Sequence, residues 1–311
     1  MTGAVKVSRV VEPLQTSIGT ATGHHGELIQ GVFEDETARL HRALVTLPLR
    51  RMRSEARFAK SEETDLTVDP VHKAKAAVAA RLTLDLLNVP CGGTLSIEST
   101  IPVGHGYGSS TADVVAAIRA VSAANDVQLR ASRIGRLAVA AERASDAIAF
   151  DDHAVLFAQR EGFVVEDFGG ALPPLLLVGF KANGGLPIDT LHLPPARYDA
   201  TEIQQFRVLR ALVARAVRLQ DPYLLGRAAS ASAQISQRHL PKDGFESVVE
   251  IADSAAACGV QVAHSGSLIG VMFDLAAKDL RQKAELVAEC AGKAGFQDIE
   301  FHLINGEAAS W

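Results

Sequence analysis

Hydrophobic and polar positions along the chain fall into blocks of two periods, one of strands and one of helices. Residues 5–18 alternate unevenly, as a strand does, and lead into Gly19-Thr20-Ala21-Thr22-Gly23-His24-His25-Gly26, whose glycines and small polar residues predict a loop. Glu27-Leu28-Ile29-Gln30-Gly31 follows, and residues 40–57 alternate well enough for one long strand or two. After a polar stretch over 62–69, alanine, leucine and valine recur at helical spacing across 71–87, ending at Asn88-Val89-Pro90. A short strand over 94–99 and an alanine-rich helix over 110–124 are predicted next, then a helix over 132–149 and strands over 163–168 and 175–181. The remainder reads as helices over 200–217, 222–237, 245–257 and 280–295, with strands over 260–264, 268–274 and 298–303. Strands and helices mix without strict alternation, which predicts the α+β class rather than a doubly wound sheet. The Gly-, Pro- and polar-rich stretch around 182–200 is the weakest connection, and it divides the chain into 1–182 and 183–311.

Composition narrows the picture. The 311 residues are 48% hydrophobic, enough for one large core or two modest ones. A net charge of −5 and scattered Lys and Arg speak against a general nucleic-acid binder; the compact run Arg50, Arg51, Arg53 and Arg57 reads as the solvated side of a strand and turn. Cys91, Cys258 and Cys290 lack metal-ligand spacing and read as buried thiols. The odd cysteine count and the lack of a signal-peptide pattern predict a cytoplasmic protein. No apolar run approaches the roughly 20 residues needed to cross a bilayer, so no membrane partner is predicted.

The candidate chemistry starts at Pro102-Val103-Gly104-His105-Gly106-Tyr107-Gly108-Ser109-Ser110-Thr111-Ala112. Glycines at alternating positions let the backbone curl and approach a ligand, and the hydroxyls open a helix whose first amides lack partners within it. Such a place suits a polyphosphate and its divalent ion. No Gly-Lys-Ser/Thr closes the segment, so it is not a Walker loop, and a plain glycine turn capped by Ser109 or Ser110 is the structural alternative. Glu142 and Asp146 lie four apart on the helix predicted over 132–149, hence on one face, where two acids are tolerable beside a cation. The alternative is a solvated face with Arg136 and Arg143. His24, His25 and Glu27 crowd one glycine-bounded loop; zinc is disfavoured there because adjacent side chains rarely converge on one ion. Gln30 has a choice of substrate or backbone as its partner. Ser265-Gly266-Ser267 reads as a hairpin turn with a packed His264 beside it, and Asp189-Thr190 after Gly184-Gly185 as a further turn.

Three of these segments together resemble a known family. Residues 102–112 are similar to the central phosphate-binding motif of the galactokinase, homoserine kinase, mevalonate kinase and phosphomevalonate kinase (GHMP kinase) superfamily, and residues 260–267 resemble its third glycine motif. Residues 22–31 resemble its first motif in the form used by the L-threonine kinases of cobalamin biosynthesis; Gly184-Gly185 with Asp189-Thr190 points to the same branch. The resemblance implies a two-lobed α+β fold, with a ribosomal-protein-S5-like N-terminal half that carries the ATP loop and a ferredoxin-like C-terminal half. It also implies an enzyme, a small-molecule kinase that uses ATP and Mg²⁺. ATP would be bound by Pro102, Gly104, His105, Gly106, Tyr107, Gly108, Ser109, Ser110 and Thr111, and Mg²⁺ by Ser110 and Glu142. Asp146 would handle the acceptor's proton, with Asp152 as its rival. The acceptor would lie among His24, His25, Glu27, Gln30, Asp189, Thr190, Ser265 and Gly266. The chain departs from the family at His24-His25, where the threonine kinases carry Ser-Cys, at Tyr107, where Leu is usual, and at Thr111, where Ser or Ala is usual. The function implied is phosphorylation of L-threonine to O-phospho-L-threonine. Homoserine or another small hydroxylated metabolite is the second reading. A non-catalytic nucleotide-binding regulator is the third, against which the presence of both Glu142 and Asp146 argues. A small molecule with a free hydroxyl is the implied partner, and a homodimer is left open.

Overall fold

Two very long strands set the architecture, β1 (Thr16–Glu34) and β2 (Leu40–Ser61), joined by a tight turn and paired antiparallel along most of their lengths. The structure, a computed structural model, describes residues 16–151, 153–186 and 196–306. The other strands are β3 (Leu66–Asp69), β4 (Gly92–Ser99), β5 (His153–Ala158), β6 (Phe163–Ala171), β7 (Leu175–Lys181), β8 (Gly259–Val262), β9 (Leu268–Asp274) and β10 (Gln297–Ile304). The helices are α1 (Ala74–Leu86), α2 (Ser109–Ala123), α3 (Ala131–Glu142), α4 (Ala200–Leu219), α5 (Pro222–Ser236), α6 (Phe245–Ser254) and α7 (Leu280–Lys293). All strands belong to one sheet in the order β10-β7-β9-β8-β1-β2-β4-β3, with β5 pairing β2 off this path and β6 pairing β5. The architecture is the α+β class that the pattern predicts.

The first half packs around α2. Its residues from Thr111 to Ile118 are all buried, and all but Thr111 and Asp113 are apolar. Small residues make that burial possible: a Cβ on Gly19 of β1 would lie 2.3 Å from the Ala116 carbonyl oxygen. A second core joins β7, β8 and β9 to α6 and α7. The two meet where β1 touches β8 through the single pair Glu27↔Val262, with α5 packed across both strands. A residue from the candidate acceptor loop therefore sits on the joint itself.

Four elements differ from the sequence pattern. The loop predicted over 19–26 is the middle of β1. Its glycines serve irregularities in pairing, with register shifts between Thr22 and Gly23 and between His24 and Glu27, rather than an excursion of the chain. The helix predicted over 132–149 stops at Glu142. Arg143 turns left-handed at φ 70°, Ser145 N donates to the Gln159 carbonyl at 2.9 Å, and a short 3-10 turn, Ala147–Phe150, follows. Glu142 and Asp146 therefore do not share a helix face. The strands β3 and β5, too short or too polar at one end to stand out, are additions to the predicted set.

Candidate active site

The loop between β4 and α2 is held by its carbonyls. Tyr107 O accepts from His24 N at 3.0 Å, Gly106 O from Gly26 N at 3.2 Å, and His105 O from Ser267 N at 3.0 Å. These bonds tie the loop to β1 on one side and to the turn between β8 and β9 on the other. Gly104, Gly106 and Gly108 have φ of 85°, 101° and 71°, a region that disfavours side chains. Space forbids them as well: a Cβ on Gly106 would lie 2.7 Å from Ala263 Cβ, and one on Gly108 would lie 2.2 Å from the His24 ring. Gly266 is hemmed in just as closely: a Cβ on it would lie 2.0 Å from His105 O. Gly108 is the N-cap of α2 and no side chain caps that end, so neither Ser109 nor Ser110 plays the capping part. Pro102, His105, Ser109 and Ser110 are partly exposed on this loop and helix end, and Gly104 is exposed.

Ser110 and Thr111 instead turn their hydroxyls to carboxylates. Ser110 Oγ donates to Glu142 Oε2 at 2.8 Å. Thr111 Oγ1 faces Glu142 Oε1 at 2.7 Å and Asp146 Oδ2 at 3.2 Å, so its single proton is shared between them. The left-handed turn at Arg143 thus brings together on Thr111 the two acids that helix geometry does not. Lys75, on the first turn of α1, places Nζ 3.2 Å from Ser110 Oγ and 3.8 Å from Glu142 Oε2. Nothing in the sequence marked this lysine, because only the packing of α1 on α2 brings it to the loop.

Asp146 also meets His24, Nε2 to Oδ2 at 3.0 Å, while His24 Nδ1 lies 3.1 Å from the Gly26 carbonyl. A carbonyl and a carboxylate both only accept, so both ring nitrogens carry protons and the ring is an imidazolium. Burial opposes that charge, but Asp146, Glu27 and the Gly26 carbonyl outweigh it and raise the His24 pKa. Burial likewise opposes the Asp146 carboxylate, and His24, Thr111 and Lys75 more than compensate, so its pKa is lowered. Glu142 goes the other way. Burial pushes its pKa up, Asp146 adds to the rise, and the two hydroxyls offset only part of it. A buried carboxylate in this state is suited to a cation, and a hydroxyl beside a carboxylate is a donor set that fits Mg²⁺. His24, Glu27 and Asp146 also bring ligand atoms within 4.8 Å of one another, but a protonated His24 repels a metal ion, so Ser110 with Glu142 is the better pair.

On the acceptor side, Glu27 is 2% exposed and accepts from His264 N at 2.9 Å through Oε2. His264 is packed, with Nδ1 3.4 Å from the same oxygen and Nε2 3.2 Å from Ser232 Oγ of α5. Ser232 Oγ accepts from Gln30 N at 3.2 Å, and the Gln30 amide donates to Gln159 Oε1 at 3.3 Å. Ser265 is exposed at the tip of its turn. His25 is a correction to the predicted acceptor set. Neighbours on a strand point to opposite faces, and its ring, fully buried, bonds Gln261 Oε1 through Nδ1 at 2.8 Å and stands 5.9 Å from Tyr107 and 5.7 Å from His302. The Tyr107 ring is 2% exposed and faces the same interior, leaving its backbone as its contribution to the loop. Asp152, Asp189 and Thr190 lie outside the described residues.

Residues 71–159 match the family described as GHMP kinases N terminal domain. That stretch holds the glycine loop, Ser110, Thr111, Glu142 and Asp146. Over 182 residues the chain is 32% identical to an L-threonine kinase from Citrobacter freundii, covering 58% of this chain and 62% of that relative. Over 196 residues it is 29% identical to an L-threonine kinase from Salmonella typhimurium, covering 63% and 64%. The matches thus span less than two thirds of these relatives' lengths. The crystal structure of a homoserine kinase from Cytophaga hutchinsonii superposes with a TM-score of 0.64 at 13% identity, covering 96% of this chain and 98% of that one. The fold is therefore shared with that homoserine kinase across nearly the whole chain.

Proposed function

We propose that the protein transfers the γ-phosphoryl group of ATP to the hydroxyl of a small amino acid, with L-threonine as the first candidate acceptor. The observation that carries this reading is Thr111, whose one hydroxyl joins Glu142 to Asp146 directly below the glycine loop. A carboxylate suited to a metal ion and a carboxylate suited to a proton are thereby fixed side by side at the start of α2. The loop carbonyls are tied back, so the amides of 104–110 are left for the β- and γ-phosphates, with Lys75 beside them. Mg²⁺ on Ser110 and Glu142 would neutralise phosphate charge when bound. The acceptor oxygen forms its bond to the γ-phosphorus as the bond to the β,γ-bridging oxygen breaks, ADP departs, and Asp146 takes the hydroxyl proton. Glu27 would face the acceptor's ammonium. The likeness to L-threonine kinases supports the choice of acceptor.

The test is to incubate the purified protein with ATP and Mg²⁺ and a panel of L-threonine, L-serine, L-homoserine, sugars and mevalonate, and to identify products by mass. O-phospho-L-threonine as the dominant product is the expected outcome. A panel in which every acceptor comes back unchanged would reject the reading.

A further inference from the structure

Lys242 lies on the loop joining α5 to α6 and is 4% exposed, yet among the described residues its ammonium makes one hydrogen bond, a long 3.5 Å contact to the Leu240 carbonyl. The loop is fixed from within: Lys242 N donates to Gln237 Oε1 at 2.8 Å, and the Ser236 carbonyl accepts from His239 N at 2.9 Å and Leu240 N at 2.8 Å. The loop that carries the lysine is thus tied to the C-terminal end of α5, the helix whose Ser232 touches His264 opposite Glu27. Burial pushes the ammonium pKa down to about 8, and the charge that acts against this is Glu27. The two do not form an ion pair with each other. The Glu27 carboxylate is instead engaged by the His264 amide, and no carboxylate lies within ion-pair distance of Lys242 among the described residues.

A buried ammonium without a counter-ion is costly to hold, and so is a buried carboxylate. Lys242 is the one of the two without an opposite charge at pairing distance among the described residues, while Glu27, held by the His264 amide and near the His24 ring, is the acid that acts on it. An incoming molecule with a positive and a negative group on adjacent atoms would meet both. We propose that Lys242 binds the carboxylate of the acceptor, so that Glu27 and Lys242 form a subsite for the zwitterionic head of an α-amino acid. This rests on the kinase reading above and deepens it. The subsite selects amino acids over sugars and neutral alcohols, which would leave the buried ammonium unmatched.

The test compares L-threonine and L-homoserine with their carboxamides, which keep the ammonium and hydroxyl and lose the negative charge. In the parent protein each amino acid should bind about 10²-fold more tightly than its amide, by calorimetry and by KM, as expected for an unmatched buried charge. Lys242→Met keeps the aliphatic stem and removes the charge. It should weaken binding of the preferred amino acid by about 10²-fold, reduce its preference over the amide to a few-fold, and leave ATP affinity unchanged. Lys242→Arg should retain part of the preference. The melting temperature of the Met variant should equal or exceed the parent's, which separates loss of recognition from loss of fold. A parent that binds neither amino acid, or that binds acid and amide alike, overturns the proposal, as does a Met variant that keeps the parent's preference. Binding that follows the expected pattern without phosphoryl transfer would reject the kinase reading and leave Lys242 in its assigned part.

Discussion

At the scale of single residues, the pair His24–Asp146 decides what the site can do. Asp146 was legible in the sequence as an acid near Glu142, but its partner lies 122 positions away and only the fold brings them to 3.0 Å. Substituting Asp146→Asn should leave ATP binding nearly intact and lower kcat by on the order of 10²–10⁴; equal turnover of variant and parent would remove Asp146 from the chemistry. His24 acts on the same proton from behind. Its charge keeps Asp146 ionised below the ordinary carboxylate range, so the acid limb of the kcat–pH profile should lie low in the parent. His24→Gln removes that charge and should move the limb up by about one pH unit or more; an unmoved limb would show that Asp146 does not titrate in the reaction. The sign for stability follows from the same shifts. The Asp146 contribution is present above the ordinary Asp pKa and lost as pH falls through the lowered one. The His24 contribution is present below the ordinary His pKa and lost as pH rises through the raised one.

At the scale of elements, the glycine loop was the most legible feature, because three glycines before an alanine-rich helix have few uses other than close approach. What the sequence could not show was which neighbours come close. Gly106 faces Ala263 on the opposite half, and Gly108 faces His24. Gly106→Val puts a branched side chain at φ 101° against Ala263, and ATP affinity should fall by at least about 10-fold through displacement of the loop. Isothermal titration with a protein whose far-UV spectrum is unchanged would check this, and undiminished affinity would detach the loop from the nucleotide. The early end of α3 has a tertiary cause. Ala-Glu-Arg-Ala-Ser-Asp-Ala over 141–147 has ordinary helical propensity, but the Gln159 carbonyl and the Thr46 hydroxyl, 3.1 Å from Ala147 N, claim the amides a longer helix would use. Tertiary bonds overrode the local preference, and in doing so turned Asp146 toward His24.

At the scale of the molecule, a buried histidine links β1 to the strands of the second core. His25 leaves β1 to lie against Gly179 of β7, Gln261 of β8 and His302 of β10, so a ring from β1 is enclosed by three other strands. Nδ1 uses its proton on Gln261, and Nε2 finds no hydrogen-bond partner among the described residues. Burial, with His302 beside it, holds the His25 pKa down to about 3, and burial with Arg51 holds that of His302 down to about 4. In the unfolded chain both rings titrate near pH 6.5. The unfolded state therefore binds protons first as pH falls, and stability should drop from about pH 6.5 downward, by on the order of 1–3 kcal/mol per ring at about pH 4.5. His302→Phe keeps a ring of similar size and cannot titrate, so the slope of unfolding free energy against pH across this window should shrink by about one proton. Hydrogen exchange at acid pH should accelerate first in β7, β8 and β10, where the enclosed rings sit, while α2 stays protected in its apolar core. An unchanged slope in the Phe variant, or exchange that begins in α2, would place the acid-sensitive joint elsewhere.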